Sequence, residues 1–123
     1  MARHSLLKSW AVSVEGLVTA IRTERNVALT FGAAVLAVII AALLRVTLFE
    51  WVIVVLCIGL VITTELVNTA IESVTDLAIG EEIHPLAKMA KDTASAATLI
   101  ASATSLIIAV LVFGPYLLEL FWG

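Results

Sequence analysis

Three apolar segments, each about 20 residues long, restrict the folds open to this chain more than any other feature. They cover roughly 27–46, 51–70 and 94–116. A helix of about 20 residues rises roughly 30 Å, which is the thickness of the hydrocarbon layer of a bilayer. Because 62% of the 123 residues are hydrophobic and only 14% are charged, a soluble domain of this size could not bury its apolar surface. The segments therefore predict an all-α integral membrane protein with three spanning helices, forming a single membrane domain.

The residues before the first span have a different pattern. Apolar residues recur there at three- and four-residue spacing and fill one side of a helical wheel: Leu6, Leu7, Trp10, Val14, Leu17, Val18 and Ile21. This pattern predicts an amphipathic helix over 5–23 that lies along the membrane surface. The three spans then follow over 27–46, 50–79 and 86–118, and the second continues beyond the membrane.

The distribution of basic residues predicts the orientation of the chain. Six of the seven Lys and Arg residues lie before the first span or between the second and third: Arg3, Lys8, Arg22, Arg25, Lys88 and Lys91. Positive residues favour the cytoplasmic side, so the N-terminus and the 77–92 connection are expected inside the cell, in a multi-pass plasma membrane protein. No segment resembles a cleavable signal peptide, and no basic patch suggests nucleic-acid binding.

A polar stripe follows the second span. Five polar residues fall within an arc of roughly 100°: Glu65, Asn68, Thr69, Glu72 and Asp76. If the outer boundary lies near Trp51, Glu65 is about 21 Å and Glu72 about 31 Å along the helix axis. Glu65 would then lie within the inner leaflet, and Glu72 at the headgroups or in the cytoplasm. Charged groups at such depth indicate function, although a structural polar seam between helices is the alternative.

The start of the third helix carries a matching set of polar residues. By spacing, Lys88, Lys91, Asp92 and Ser95 share one face. The intervening turn, "GEEIHP", is short, so the second and third helices are expected to be antiparallel neighbours. Their polar faces can then meet near the cytoplasmic boundary. For Lys88, extension of the side chain toward the headgroups is the favoured interpretation.

Glu24 ends the surface helix in "RTERN", at the same membrane level as Glu72. A surface ion pair with Arg22 or Arg25 is the alternative to a functional role. Carboxylates from separate helices beside lysine and histidine suit phosphoryl transfer to a lipid, which needs Mg²⁺, cations and a base. The sequence has no Walker loop or kinase glycine loop. The composition thus permits a kinase. A membrane protein that relays protons or cations through the polar stripe is the alternative functional class.

Three strings resemble the small prokaryotic diacylglycerol kinase family, and in particular its undecaprenol kinase branch. They are "GLVTAIRTERN" at 16–26, "ELVNTAIESVTDL" at 65–77 and "HPLAKMAKD" at 84–92. The resemblance extends over about 5–113, with the same three spans in the same order. It implies an ATP-dependent lipid kinase that forms a homotrimer with active sites shared between neighbouring chains.

The resemblance also implies roles for individual residues. Glu65 matches the general base, and Glu24 and Glu72 match the pair that holds Mg²⁺ on the ATP phosphates. The remaining matches are Asn68 and Asp76 as supporting residues, Lys91 and Asp92 beside the phosphates, Glu82, Ile83 and His84 in the turn near the nucleotide, and Ser95 near the lipid.

Two positions are informative when the chain is compared with the family pattern, and the first bears on the substrate. Proline follows His84, as undecaprenol kinases tend to have, where the diacylglycerol-specific relatives usually have Glu. Residues 93–95 read Thr-Ala-Ser where the branch often has glycine or alanine, which affects helix packing more than chemistry. The resemblance therefore favours undecaprenol as acceptor, giving undecaprenyl phosphate. Diacylglycerol, giving phosphatidic acid, is the alternative.

Overall fold

The computed structural model describes residues 5–123, which form four helices joined by short connections. These are α1 (Leu6–Thr23), α2 (Arg25–Leu44), α3 (Leu48–Ile79) and α4 (Pro85–Trp122). Within this part of the chain, α2, α3 and α4 are long and apolar enough to cross a membrane. The prediction of an all-α protein with an N-terminal amphipathic helix and three spans is therefore confirmed. Arg3, counted above among the inner cations, lies outside the described residues.

Helix α1 begins at a side-chain cap and ends one residue before α2. The Ser5 hydroxyl accepts a hydrogen bond from the Lys8 amide at 3.2 Å. Glu24 interrupts the two helices with extended backbone, at φ −111° and ψ 112°. The N-terminal half of the apolar face of α1 has no protein cover among residues 5–123, since Leu6 and Trp10 are 82% and 70% exposed. Such a face is suited to the interfacial region of a bilayer.

The ends of α3 are set by local sequence signals. At its start, the Thr47 hydroxyl accepts from the Glu50 amide while the Glu50 carboxylate accepts from the Thr47 amide, a reciprocal capping box. At its end, Gly80 has a positive φ of 59°, which favours glycine. The next helix begins with Pro85 as its first residue. The predicted short turn is thus confirmed, and α3 and α4 pack as antiparallel neighbours.

Small residues let α4 approach α3 closely. Ala87, Ala94 and Ala101 are all buried and recur every seven residues, so they lie on one side of α4. Such residues favour close helix packing in membranes, where no hydrophobic force drives helices together. Further out, Ala41, Val54 and Phe113 belong to a core cluster that joins α2, α3 and α4.

A hydrogen bond ties the outer ends of α3 and α4. The Tyr116 hydroxyl donates to the Glu50 carboxylate. The sequence places Glu50 near Arg45, but in the structure its carboxylate contacts Thr47 and Tyr116. The pattern Thr-x-x-Glu at 47–50 is the sequence signal that could have revealed the capping role of Glu50.

Candidate active site

The polar stripe of α3 faces the protein. Asn68 is only 9% exposed, and Glu65, Thr69 and Glu72 are half-buried. On the opposite side of the helix, Val67, Val74 and Leu77 are 52%, 66% and 86% exposed. The stripe therefore points toward the neighbouring helices, and the apolar side of α3 points outward.

Asn68 and Glu72 form the best-defined polar contact of the stripe. They lie one turn apart, and the Asn68 Nδ2 donates to Glu72 Oε1 at 3.3 Å. The other amide atom, Asn68 Oδ1, is buried and has no hydrogen-bond partner among the described residues. An unpaired buried acceptor is costly. It marks a position where a donor or a cation would be stabilised.

Lys91 of α4 contacts the stripe directly. Its ammonium forms an ion pair with the Asp76 carboxylate of α3, and the two side chains are 38% and 61% exposed. This contact confirms the expectation that the polar faces of α3 and α4 meet, and it lies next to the turn between the two helices. It places a cation one turn beyond Glu72 on the same side of the helix pair.

Asp92 does not face α3. The sequence predicts that Lys91 and Asp92 both face α3, but Asp92 is 63% exposed and pairs with Lys88 on its own helix. Neighbouring helical residues point about 100° apart, so when α4 directs Lys91 at α3, Asp92 turns toward solvent. Lys88 thus forms an ion pair with Asp92, whereas the sequence favoured extension of its side chain toward the lipid headgroups. Ser95 is also exposed, and its carbonyl accepts from the Thr98 hydroxyl at 2.7 Å.

The turn between α3 and α4 leaves its side chains open to solvent. Glu82 and His84 are exposed, and Ile83 is 98% exposed. His84 also has a structural role, because its Nδ1 accepts from the Leu86 amide at 3.1 Å and caps α4. In the described part of the chain, these three residues lie in the turn that follows α3 and form no hydrogen bonds with the stripe residues.

Glu24 is half-buried at the break between α1 and α2. Its carboxylate makes no capping hydrogen bond with α2. The alternative of an ion pair with Arg22 or Arg25 is not observed among the ion pairs of residues 5–123. The Glu24 side chain is consequently available for another partner.

The oxygen atoms of the stripe fit a hard cation such as Mg²⁺. The Glu72 carboxylate and the unpaired Asn68 Oδ1 are adjacent hard-oxygen donors. Residues 5–123 of one chain contain no cluster of three or more His, Cys, Asp or Glu side chains that could enclose a metal. Mg²⁺ commonly uses one or two carboxylates and completes its shell with water and substrate phosphates. The donor set is therefore of the kind that holds a metal–nucleotide complex.

Depth separates this donor set from Glu65. Glu72 follows Glu65 by seven positions, a rise of roughly 10 Å along α3. Glu65 is the deeper carboxylate, within the apolar part of the helix, and Glu72 is nearer the polar turn. The arrangement thus places one carboxylate in the apolar part of α3 and the other, beside Asn68, near the polar end of the helix.

Comparisons with known proteins agree with this arrangement. Residues 11–113 match the family model described as prokaryotic diacylglycerol kinase. The chain is 41% identical over 114 residues to an undecaprenol kinase of Bacillus subtilis, a match that covers 93% of this chain and 92% of the relative. A diacylglycerol kinase of Synechocystis is 36% identical over 94% of this chain and 66% of its own length. A diacylglycerol kinase of Escherichia coli is 40% identical over 78% of each chain.

The relatives named above are all lipid kinases, enzymes that transfer a phosphoryl group to a lipid alcohol. The match extends over all three spans and includes Glu65, Asn68 and Glu72. The family decides between the two classes that the sequence left open, in favour of a kinase over a proton or cation relay. The chain belongs to the prokaryotic diacylglycerol kinase family and is a membrane-embedded lipid kinase.

Proposed function

We propose that this enzyme transfers the γ-phosphate of ATP to undecaprenol and so makes undecaprenyl phosphate at the inner face of the membrane. The relative from Bacillus subtilis, which matches nearly the full length of both chains, supports the polyprenol acceptor. Diacylglycerol is the second candidate acceptor, because other relatives are diacylglycerol kinases. The positive-inside distribution of Lys and Arg supports a cytoplasmic N-terminus and a cytoplasmic site.

The observation that carries the proposal is the inward-facing stripe of α3, with Glu65 at lipid depth and Glu72 beside Asn68 nearer water. Glu65 is the general base. It removes the proton of the lipid hydroxyl as the hydroxyl oxygen attacks the γ-phosphorus. The bond from the γ-phosphorus to the bridging oxygen breaks, and ADP leaves with that oxygen. The proton then remains on Glu65 until it passes to the cytoplasm.

Glu72 and Glu24 are the residues that would hold Mg²⁺, with Asn68 orienting the Glu72 carboxylate through its amide. Bound there, Mg²⁺ would supply electrostatic stabilisation of the phosphate charge that develops during transfer. Lys91 offsets further phosphate charge, and Asp76 holds Lys91 at the seam between α3 and α4. Asp92, Glu82, Ile83 and His84 lie on the approach of the nucleotide, and Ser95 lies nearer the lipid.

We further propose that neighbouring copies complete the site in a homotrimer. Glu24 lies at the break between α1 and α2 and Glu72 lies on α3, and residues 5–123 of one chain contain no group of three or more metal-binding side chains. Asp92 and the 80–84 turn are exposed, so one side of the site is open. A second copy placed against this open side would supply the missing wall and exclude water from the reacting groups.

The test is a phosphorylation assay with radiolabelled ATP and the purified protein in lipid micelles. Undecaprenol, diacylglycerol and ceramide are supplied in parallel. We expect undecaprenol to give the highest kcat/KM and Glu65→Gln to abolish labelling of every lipid. A preference for diacylglycerol would reassign the acceptor. Labelling of none of these lipids by the wild-type protein would refute the proposed function.

A further inference from the structure

We propose that Lys88 is a second phosphate-binding lysine of the nucleotide site, and that Asp92 occupies it until the nucleotide arrives. The inference rests on the proposed function, since it names a further ligand for the same triphosphate. Its basis is the Lys88–Asp92 ion pair at the cytoplasmic end of α4, beside the Lys91–Asp76 pair.

Lys88 lies near the N-terminus of α4, where a positively charged side chain does not stabilise the helix. Pro85 is the first residue of α4, so Lys88 is the fourth and Lys91 the seventh, and the first turn contains no acidic residue. The N-terminal end of a helix carries partial positive charge and disfavours cations. Two lysines placed there raise the positive potential of this end. Such an end attracts an anion from solution.

The Lys88–Asp92 pair adds little to the stability of α4. The lysine precedes the aspartate by four residues, which is the weaker order for an ion pair along a helix. Both side chains are mostly exposed, at 77% and 63%, so water screens their attraction. Lys88 can therefore exchange Asp92 for another anion at low cost.

The neighbouring residues indicate which anion this would be. Positions three apart on a helix are neighbours, so Lys88 lies beside Lys91 on the solvent side of the seam. Lys91 faces Asp76 and the stripe that carries Glu72 and Asn68. A magnesium–triphosphate complex keeps net negative charge after the metal binds, and one lysine does not neutralise it. The phosphates nearer the nucleoside would reach Lys88, one turn closer to the start of α4, while the γ-phosphate lies on the Lys91 side toward the stripe.

The experiment compares Lys88→Ala and Lys88→Arg with wild type, and uses Lys8→Ala as a matched control because Lys8 is another exposed lysine of the described chain. Two quantities are measured: the KM values for ATP and lipid, and the direct binding of a non-hydrolysable ATP analogue with Mg²⁺. We expect Lys88→Ala to raise the ATP KM and the analogue Kd about tenfold, as for one charge-assisted contact. The lipid KM should stay unchanged, Lys88→Arg should restore most of the affinity, and Lys8→Ala should match wild type.

Two results would overturn the inference. An unchanged ATP KM and analogue Kd in Lys88→Ala would show that Lys88 forms only a surface ion pair with Asp92. Equal losses in the ATP and lipid KM values would indicate a structural role in α4. Failure of the proposed function is distinguishable from both, because the wild-type protein would then phosphorylate none of the lipids while the analogue-binding comparison still reports on Lys88.

Discussion

Lys91 on α4 and Asp76 on α3 form an ion pair that joins the two longest helices next to the turn between them. The pair lies one turn beyond Glu72, so it fixes where α4 meets the polar stripe. The rotation of α4 that directs Lys91 toward Asp76 also directs Asp92 outward. The geometry of the candidate site therefore depends on how these two helices pack, and the following predictions test its separate parts.

Replacement of the proposed base should affect turnover more than binding. Glu65→Gln keeps the shape of the side chain but cannot accept the proton of the lipid hydroxyl. We expect kcat to fall about 10²- to 10⁴-fold with little change in the KM for ATP or lipid. Glu81→Gln, which changes an exposed glutamate of the α3–α4 turn, is the matched control. Near-normal turnover in Glu65→Gln would rule out the assigned base.

Removal of a proposed metal ligand should change the dependence on Mg²⁺. Glu72→Gln or Glu24→Gln weakens the attraction for a divalent cation, so the Mg²⁺ concentration for half-maximal rate should rise about tenfold or more. The measurement is a Mg²⁺ titration of initial rate at fixed ATP. Glu15→Gln on the exposed part of α1 should leave the titration unchanged. An unaltered midpoint in Glu72→Gln would exclude this residue from the metal site.

Replacement of Asn68 should weaken activity without lowering stability. Asn68→Leu removes the hydrogen bond to Glu72 and also the buried Oδ1 that has no partner. Leucine puts no polar group in place of the unpaired acceptor, and the half-buried Glu72 carboxylate that loses its donor can be hydrated instead. We expect an unchanged or raised thermal unfolding midpoint, together with weaker Mg²⁺ activation. A large loss of stability would instead show that Asn68 is a structural residue of the helix seam.

The Lys91–Asp76 pair should contribute modestly to stability. Because the two side chains are 38% and 61% exposed, water weakens their attraction, and we expect a small favourable coupling. A double-mutant cycle with Asp76→Asn and Lys91→Met measures this coupling through the free energy of unfolding. The coupling should shrink at high salt. A salt-independent value would mean that the pair is more buried in the assembled protein than in one chain.

The hydrogen bond between Tyr116 and Glu50 allows a test in which stability should change while activity stays the same. Tyr116→Phe removes the hydroxyl that donates to Glu50 but keeps the aromatic ring. We expect a small loss in the free energy of unfolding, because this hydrogen bond is partly exposed to water. The kinetic constants should stay the same, because this contact lies at the opposite end of α3 from Glu72. Reduced kcat in Tyr116→Phe would show that the outer helix ends influence the site.

The sequence alone determined the spans, the turn and the direction of the polar stripe. Segment length and apolarity predict three membrane helices, and Gly80 and Pro85 predict the turn between α3 and α4. The spacing of Glu65, Asn68 and Glu72 predicts that they share a face, because the 100° rotation per residue is a property of the helix itself. Such local rules need no information about distant residues.

Only the tertiary structure decided which side chains meet. Lys91 and Asp92 are adjacent in sequence, and spacing alone assigned both to the face toward α3. The rotation of α4 about its own axis is set by contacts of Ala87, Ala94 and Ala101 with neighbouring helices, and it separates the two residues. The pairing of Glu50 with Tyr116 likewise depends on packing across the bundle. A helix fixes the angles between its own residues, whereas the orientation of one helix relative to another depends on how their surfaces fit together.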